Sequence, residues 1–480
     1  MHTFFEKILF NLSKIETKLF FVTFLICNFS IIFLLDSVFW DDWTIYNQSK
    51  ETIINTFNNA GYPPTAYIHL FFLKIGLPSY RLTLLFLILI QTACFNEIIK
   101  TFKIFGKQER VLIVFLFAFS PVFASKIAII NFPSYLYLTL FFLGWYLIKK
   151  NKILSGIFFF LSFGLQSLLV FYAIPILGEM YKNKIKSFRA LIQFAQKYLL
   201  LIILPFLWYA LKEYLFPLQG PYVNYQEFSI LNLIKAPFMQ VFYTLFQSVN
   251  LSLLIILFLL SIFIFNKHKV FTVEEDSNYT IIVISLLILV LSLFPYWITG
   301  HIPANLDWLS RHQILMAIPI ALLITSLIKL RKFNNYQPII FCFFIALFLS
   351  KNIENNIQLV VDWQKQKEII SFFSKEKIKI DSSTVITFTD SSQNAFDRRY
   401  RFYEYNGLIK YATGEEMAFS LPVADLSVYE SGTYDIFFNS DYNARDHIRS
   451  DKPNLINAEI TRNSFSSILN SGNLYKIKLQ

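Results

Sequence analysis

Two adjacent aspartates after the first long apolar segment are the strongest candidates for chemistry in this chain. Residues 36 to 47 read DSVFWDDWTIYN, so Asp41 and Asp42 stand between Trp40 and Trp43. A carboxylate at the end of an apolar segment is partly desolvated, which raises its basicity and lets it take a proton from an alcohol. The alternative interpretation is the polar end of a span with interfacial tryptophans and no catalytic role.

A second polar cluster lies near residue 300, in the sequence GHIPANLDWLSRHQILMAIP. Arg311 and His312 begin a long apolar segment there, and His301 and Asp307 come shortly before them. The planar guanidinium group of arginine presents a fork of donors that matches phosphate oxygens. The pattern indicates a site for an anionic headgroup, although contact with ordinary lipid phosphate or a pair with Asp307 would also explain Arg311.

Three more polar positions interrupt apolar sequence. Lys126 lies in the turn FSPVFASKIAIINFPS, Arg81 begins another apolar segment, and Gln166 belongs to a polar break between Gly164 and Ser167. The two cations fall in loops that are otherwise poor in lysine, so a bound phosphate is one explanation for them. A structural role explains each cation, taken alone, slightly better.

The composition excludes a water-soluble enzyme. Hydrophobic residues make up 55 % of the 480 residues and charged residues only 16 %, whereas about a quarter of an ordinary soluble domain is charged. Lysine and arginine exceed aspartate and glutamate by 11, and residues 363–480 contain 15 of each sign. The excess therefore lies in short loops between apolar segments, which is typical of a membrane protein and gives no reason to expect a nucleic-acid partner. No disulfide framework or cysteine zinc site is expected, because all the cysteines lie in apolar segments, at Cys27, Cys94 and Cys342.

The apolar segments predict a bundle of membrane helices, because a span needs about 20 apolar residues whose backbone groups bond within the segment. The stretch 153–181 is broken by polar residues and flanked by lysines on both sides, which predicts two short helices in a hairpin. With the hairpin counted as two, we expect about 11 membrane helices. The other predicted spans are 18–36, 80–100, 108–126, 128–148, 195–216, 241–265, 279–299, 312–330 and 338–358.

The distribution of positive residues predicts the orientation of this bundle. Lysines and arginines gather in alternate loops, which places the N-terminus in the cytoplasm. Loops 37–79, 217–240 and 300–311 then face outward together with the C-terminal tail. Loop 37–79 is rich in aromatic residues, and we expect one or two helices in it that lie flat above the bundle.

A change of composition after residue 362 predicts a second domain. WQKQKEIISFFSKEK has helical spacing, whereas STVITFTD, TYDIFFNS and LYKIKL alternate like half-buried strands. Asn406-Gly407 and Ser431-Gly432 are typical of turns. We therefore expect a membrane domain at 1–362 and a small α/β domain outside the membrane at 363–480.

The order of these features resembles the GT-C superfamily of integral membrane glycosyltransferases, which includes protein O-mannosyltransferases and lipid A aminoarabinose transferases. FWDDWTIYN stands where that family has an acidic motif, and WLSRHQILMAIP resembles its arginine-containing entry into a late span. YPPTAYIHLFFLKIGLPSYRLTLLFLILIQ is similar to the loop helix that leads into the second span, and LSFGLQSLLVFYAIP to the short helix pair. The resemblance implies inverting transfer of a sugar from polyprenyl phosphate to a hydroxyl of an envelope glycan, lipid or protein, at the outer face of the bacterial inner membrane.

The resemblance also implies roles for the candidate residues. Asp41 or Asp42 would deprotonate the acceptor, and a divalent cation, Mg²⁺ or Mn²⁺, would bind this pair in members that use one. No other cofactor is expected. The donor phosphate would be held by Arg311, Lys126, Arg81 and His312. Contacts with the acceptor or the sugar would come from Trp40, Trp43, His301, Asp307 and Gln166.

Three other classes of function remain open from the sequence. A polymerase or ligase of polyprenyl-linked glycans would also work at the outer face, but such enzymes place functional arginines in large late loops, and here that loop is short. A transporter of lipids or solutes would favour charges at mid-membrane and a repeated hydropathy pattern. A membrane anchor without catalysis would not need the acids and Arg311 on the same side.

Overall fold

The computed structural model describes residues 14–223, 230–246, 250–268, 279–301, 308–330, 336–376, 378–392, 396, 398–435, 443–464 and 473–479. The described chain is mostly helical, with one mixed sheet near its C-terminal end. The α-helices are α1 (Lys14–Cys27), α2 (Phe29–Phe33), α3 (Lys50–Asn59), α4 (Pro63–Ile75), α5 (Leu77–Phe102), α6 (Lys107–Ala118), α7 (Phe132–Leu147), α8 (Lys152–Ser162), α9 (Ser167–Phe171), α10 (Ala173–Lys182), α11 (Phe188–Lys197), α12 (Leu199–Leu215), α13 (Ile230–Phe246), α14 (Leu251–His268), α15 (Tyr279–Ile298), α16 (Ala317–Ile328), α17 (Gln337–Lys375), α18 (Phe402–Thr413) and α19 (Leu426–Glu430). Short 3₁₀ helices lie at Trp40–Thr44, Ala124–Ile127, Ile129–Asn131, Gly220–Tyr222, Trp308–Met316 and Val423–Asp425.

Four helical segments among the described residues are long and apolar enough to cross a membrane. They are α5, α15, α17 and the continuous run Trp308–Ile328, which joins a 3₁₀ helix to α16. Helices α11 and α12, bent by 65° at Tyr198, would count as a fifth if the pair forms one broken span. The expectation of a polytopic helical protein agrees with these helices.

Several predicted spans are divided into shorter helices for local reasons. In 18–36, Asn28 separates α1 from α2 and donates its side-chain amide to the Phe24 carbonyl at 2.8 Å, which competes with the helical backbone bonds. In 108–126, α6 ends at Ala118 just before Ser120 and Pro121, because a proline disfavours helical conformation in the residue before it. The predicted break in 153–181 is confirmed, since α8 ends at Ser162 and α9 begins at Ser167.

Loop 37–79 contains helices, as predicted. It begins with the 3₁₀ helix Trp40–Thr44, called the acidic helix below because it carries both aspartates, and continues through α3 and α4. The Ser49 hydroxyl caps α3 by accepting from the Thr52 amide at 3.1 Å. Gly76, at φ 112°, joins α4 to α5, a backbone conformation that favours glycine.

The C-terminal region combines a four-stranded sheet with helices. Its strands are β1 (Thr384–Asp390), β2 (Phe419–Pro422), β3 (Asn454–Arg462) and β4 (Tyr475–Leu479), in the order β2-β1-β3-β4. β1 pairs parallel with β2 and β3, whereas β3 pairs antiparallel with β4. The strands predicted from STVITFTD and LYKIKL are confirmed as β1 and β4. The sequence TYDIFFNS starts in a turn, and its residues from 436 onward lie outside the described residues.

The domain boundary and one of the two predicted turns differ from the prediction. The boundary at 362/363 falls inside α17, which runs unbroken for 39 residues into the C-terminal region. The turn predicted at Asn406-Gly407 is wrong, because both residues lie buried inside α18. Asn406 accepts from the Ser420 amide at 2.6 Å, and Gly407 lies against Trp43, so the pair serves packing and not chain reversal. The turn at Ser431-Gly432 is confirmed, with Gly432 at φ +76°.

Candidate active site at the acidic helix

The acidic helix places its two aspartates on different sides. A 3₁₀ helix has about three residues per turn, so neighbouring side chains point roughly 120° apart. The Thr44 hydroxyl donates to the Asp41 carbonyl at 2.7 Å and tightens the turn. Trp40, the first residue, has a positive φ of 51°. That conformation is uncommon for a bulky side chain, and such strain persists where the surrounding structure fixes it.

Asp42 faces the protein interior and is completely buried. Its Oδ1 accepts from the Ile130 amide at 2.8 Å and its Oδ2 accepts from the Phe39 amide at 3.0 Å. Burial raises the pKa of Asp42 to about 7, although the Arg81 guanidinium and the backbone amides lower it. Asp42 therefore ties the acidic helix to the 3₁₀ helix Ile129–Asn131, and both of its oxygens are already used.

Asp41 faces the other way and keeps 24 % of its side chain exposed. Its Oδ1 accepts from the Tyr403 hydroxyl at 2.5 Å. Its Oδ2 lies 3.6 Å from Nη1 of Arg311, which is itself 25 % exposed. Of the two acids, Asp41 is the one that a substrate can reach.

Aromatic rings hold Arg311 beside Asp41. The guanidinium carbon lies 4.7 Å from the centroid of the Trp40 ring, and that ring stacks on Trp308 at 5.5 Å. Such a cation–π contact restrains the arginine without using its hydrogen-bond donors. The positive charge therefore stays next to the partly exposed carboxylate.

A row of rings extends from Arg311 into the bundle. Nε of Arg311 donates to Nε2 of His312 at 3.2 Å, and the His312 ring stacks on His301 at 4.9 Å. His312 also packs against Tyr296, whose hydroxyl donates to Ser167 at 2.9 Å. Because Nε2 accepts, Nδ1 of His312 carries the proton, and it is buried with no hydrogen-bond partner among the described residues. The row connects Arg311 with the helix break that contains Gln166.

The other two predicted cations contact protein groups. Arg81 is 1 % exposed, and its Nη2 donates to the Ser37 carbonyl at 2.7 Å. Lys126 donates to the Asn28 side chain at 2.8 Å and to the Cys27 carbonyl at 3.3 Å. These bonds hold separate chain segments together.

The turn that carries Lys126 nevertheless lies next to the turn that carries Arg311. The Ser125 amide donates to the Ser310 hydroxyl at 3.0 Å, and the two hydroxyl groups are also 3.0 Å apart. Lys126 and Arg311 each follow directly after one of the two serines that form this contact. Asp307 lies outside the described residues.

The arrangement of the two carboxylates does not suit a shared metal ion. The oxygens of Asp42 are occupied by backbone amides, and Asp41 points to the opposite side. Among the residues that the structure describes, no group of three His, Cys, Asp or Glu side chains lies close enough to hold a metal.

Side chains from the C-terminal region reach the acidic helix, and the sequence did not indicate them. Tyr403 of α18 bonds to Asp41, and Nη1 of Arg401 lies 3.4 Å from the Tyr403 hydroxyl. Trp43, predicted to contact substrate, is buried and donates to Gln366 of α17 at 3.2 Å. The signal in the sequence was the cluster RRYRFYEY at 398–405, which is unusually rich in arginine and tyrosine for a solvent-exposed tail.

No known protein family, curated protein or solved structure matches this chain. An accessible carboxylate beside a restrained arginine can accept a proton on one side and bind an anion on the other. That pairing suits a reaction in which an alcohol attacks and an anionic group departs.

Proposed function

We propose that this protein is an integral membrane glycosyltransferase of the GT-C type. It would move a sugar from a polyprenyl-phosphate donor to a hydroxyl of an envelope glycan, lipid or protein, with inversion at the anomeric carbon. The observation that carries the proposal is the open Asp41 carboxylate, 3.6 Å from the Arg311 guanidinium. The proposal also rests on the acidic motif after the first apolar segment and on the order of the following segments.

The proposed reaction uses these two groups in one displacement. Asp41 takes the proton from the acceptor hydroxyl, and the acceptor oxygen attacks the anomeric carbon of the donor sugar. The bond between that carbon and the phosphate oxygen breaks, and its electron pair leaves with the phosphate. Arg311 binds the phosphate and stabilises the negative charge that develops on it. The proton on Asp41 is afterwards lost to water.

An apolar cavity in the bundle supports a donor with a lipid tail. The cavity has a volume of about 290 Å³ and lies between α5, α10, α15 and α16. Its lining residues Ile98 and Leu177 lie near the ends of α5 and α10 that lead into lysine-rich loops, which is the cytoplasmic side in the orientation proposed below. Helix α16, which follows the 3₁₀ helix that carries Arg311, extends from the phosphate site to this cavity. A hydrocarbon chain is the natural occupant of such a lining, which includes Ile98, Leu177, Ile284, Ile288 and Leu322.

We further propose the topology that this reaction needs. About 11 helical crossings, a cytoplasmic N-terminus and an extracytoplasmic C-terminal domain would put the acidic helix at the outer face of the bacterial inner membrane. The four candidate spans, the bent pair α11–α12 and the shorter apolar helices supply the segments for this arrangement. The location of the lysines in alternate loops supports the orientation.

The proposal is tested in the natural host, which supplies its own donor. Envelope glycans are compared by mass spectrometry in a strain without the gene and in the same strain carrying wild type, Asp41→Asn or Asp36→Asn. We expect a sugar-sized mass increment with wild type and with the control Asp36→Asn, because Asp36 is an exposed acid in the same segment. Asp41→Asn should lose the increment at an equal membrane level. Glycans that never change with well-expressed wild type would reject the transferase and favour a transporter.

A further inference from the structure

The C-terminal region is in direct contact with the proposed base, which raises the question of what that contact does. We infer that Tyr403 of α18 is a positioning residue that fixes the Asp41 carboxylate in the orientation required for proton transfer. The inference rests on the proposed function and extends it, because it makes the C-terminal domain part of the catalytic centre. A domain that served only to bind the acceptor would need no contact with the base.

The hydrogen bond between Tyr403 and Asp41 is short and sheltered. The phenol oxygen lies 2.5 Å from Oδ1 of Asp41, and the Tyr403 residue is only 6 % exposed. Burial and the nearby Asp41 charge raise the pKa of Tyr403 well above its usual range, so the phenol stays protonated and donates. A donor to an ionised carboxylate forms a stronger bond than a neutral pair.

This bond leaves one carboxylate oxygen for chemistry. With Oδ1 occupied by Tyr403, the acceptor must approach Oδ2. Among the described residues, the cation that forms an ion pair with Oδ2 is Arg311, and their separation of 3.6 Å is longer than a hydrogen bond. The acceptor hydroxyl therefore has access to Oδ2 while the phosphate occupies Arg311. Loss of the Tyr403 bond would let the carboxylate rotate and exchange its two oxygens.

The packing of α18 explains why Tyr403 can hold a fixed position. Residues 403 and 407 are four apart, so they lie on the same face of the helix. A β-carbon at Gly407 would lie 2.6 Å from Cε3 of Trp43, so only a glycine allows this close approach to the acidic helix. Asn443 adds a bond from its side-chain amide to the Trp43 carbonyl at 2.6 Å.

The start of α18 is fixed as well. Glu404 accepts from the Arg401 amide at 2.9 Å, which caps the first turn of the helix. The same carboxylate binds the Arg398 guanidinium through both of its oxygens, at 2.5 Å each. Tyr403 is therefore in a turn that is capped on one side and packed against Trp43 on the other.

The test removes the hydroxyl alone. Tyr403→Phe keeps the ring and its packing, and we expect the transfer rate at saturating donor to fall about 10-fold with an unchanged KM for the donor. The charged groups around Asp41, namely Arg311, Arg401 and Arg398, remain in the variant. A loss confined to the transfer rate, with the donor KM unchanged, marks a group that positions the base and does not bind the donor.

The matched control is Tyr405→Phe on the same helix. The Tyr405 hydroxyl lies 3.4 Å from Asp390, a carboxylate that does not contact Asp41 in the described structure, and the ring is as buried as that of Tyr403. This variant should keep the wild-type rate and the wild-type KM for the donor. Equal losses in both variants, or a wild-type rate in Tyr403→Phe, would overturn the inference.

A second measurement needs no transferase activity. The carboxylate band of Asp41 is isolated by infrared difference between the protein and its Asp41→Asn variant. Tyr403→Phe should shift the frequency of this band, because a carboxylate oxygen loses its hydrogen-bond donor, and an unchanged frequency would overturn the inference. The absence of transfer by wild type, with the expected infrared shift present, would count against the proposed reaction and leave the contact established.

Discussion

The two sides of the acidic helix carry the same pair of residue types in opposite environments. On one side Asp41 and Arg311 are 24 % and 25 % exposed and lie 3.6 Å apart. On the other side Asp42 and Arg81 are 0 % and 1 % exposed, and Arg81 acts electrostatically on an acid that two backbone amides already hold. One side can exchange partners with a substrate, whereas the other is closed.

The difference shows how a catalytic acid can be kept both accessible and rigid. A buried carboxylate is costly unless hydrogen bonds and a counter-charge compensate it, and Asp42 has both. Its bonds to the Phe39 and Ile130 amides immobilise the turn on which Asp41 stands. Asp41 can then stay accessible to solvent while the backbone around it stays fixed. We interpret the closed side as the support and the open side as the site of the proposed chemistry.

The largest expected effect comes from changing the open acid. Asp41→Asn keeps the size of the side chain but removes its ability to take a proton, so the proposed transfer rate should fall about 10³-fold. The midpoint of thermal unfolding should stay close to that of wild type, because the side-chain oxygen of asparagine can still accept from the Tyr403 hydroxyl. The measurement pairs a transfer assay in isolated membranes with a thermal scan of the purified protein.

A changed unfolding midpoint together with an unchanged transfer rate would contradict this assignment of the two sides. Such a result would make Asp41 a structural residue and would leave the proposed base unassigned. Asp36→Asn serves as the control for removing one negative charge from this segment, since Asp36 is exposed.

The closed acid should show its role in the pH dependence of stability. With the pKa of Asp42 raised to about 7 by burial, the folded state holds a proton that the unfolded state loses near pH 4. Stability should therefore fall as the pH rises from about 4 to about 7 and level off above that, by on the order of a few kcal/mol.

Asp42→Asn isolates this contribution. The amide cannot titrate, so the variant should lack this fall between pH 4 and 7. It should also be less stable at every pH by about 1–3 kcal/mol, because its NH₂ group cannot accept from a backbone amide. Unfolding midpoints measured across the pH range decide the matter, and an identical pH slope in both proteins would show that Asp42 titrates normally.

The local part of this site could be predicted from the sequence, and the distant part could not. Asp41, Asp42 and Arg311 stand at the ends of long apolar segments, a pattern visible in a short window. The choice between the two acids was not predictable, because it depends on the Ile130 amide, 88 residues away. The bond from Tyr403 spans 362 positions, and no periodicity connects such residues.

The same limit applies to the C-terminal fold. β1 and β4 alternate strongly and were predicted, whereas α18 was hidden by Asn406-Gly407, a pair that usually marks a turn. In α18 the glycine is required by Trp43 from a separate region of the chain. Gly407 is needed for a tertiary contact, but together with Asn406 it forms a dipeptide that is typical of a turn.

The close approach at Gly407 gives the next prediction. An alanine in a helix interior is usually stabilising by about 0.5–1 kcal/mol relative to glycine, yet here its β-carbon would meet the Trp43 ring at 2.6 Å. Gly407→Ala should displace α18 from the acidic helix and lower transfer about 10-fold through Tyr403.

Gly156→Ala is the matched control, because its β-carbon would find the ordinary distance of 3.6 Å to Leu201 and Leu204. Transfer assays on both variants in isolated membranes measure the effect. Full activity in Gly407→Ala would mean that the contact between α18 and the acidic helix does not matter for the site.

The smallest expected effect concerns Lys126, which the sequence predicts to bind the donor phosphate together with Arg311. Its ammonium group donates to the Asn28 side chain and to a backbone carbonyl, and burial lowers the pKa of Lys126 to about 8. A lysine that already donates to protein groups and is more easily deprotonated should contribute little to binding an anion. Lys126→Ala should therefore change the transfer rate by less than about 3-fold. Arg311→Ala should lower it about 100-fold. Initial rates at subsaturating donor measure both. Equal losses in the two variants would place Lys126 in the phosphate site, next to Arg311 across the Ser125–Ser310 contact. The open side would then hold two cations.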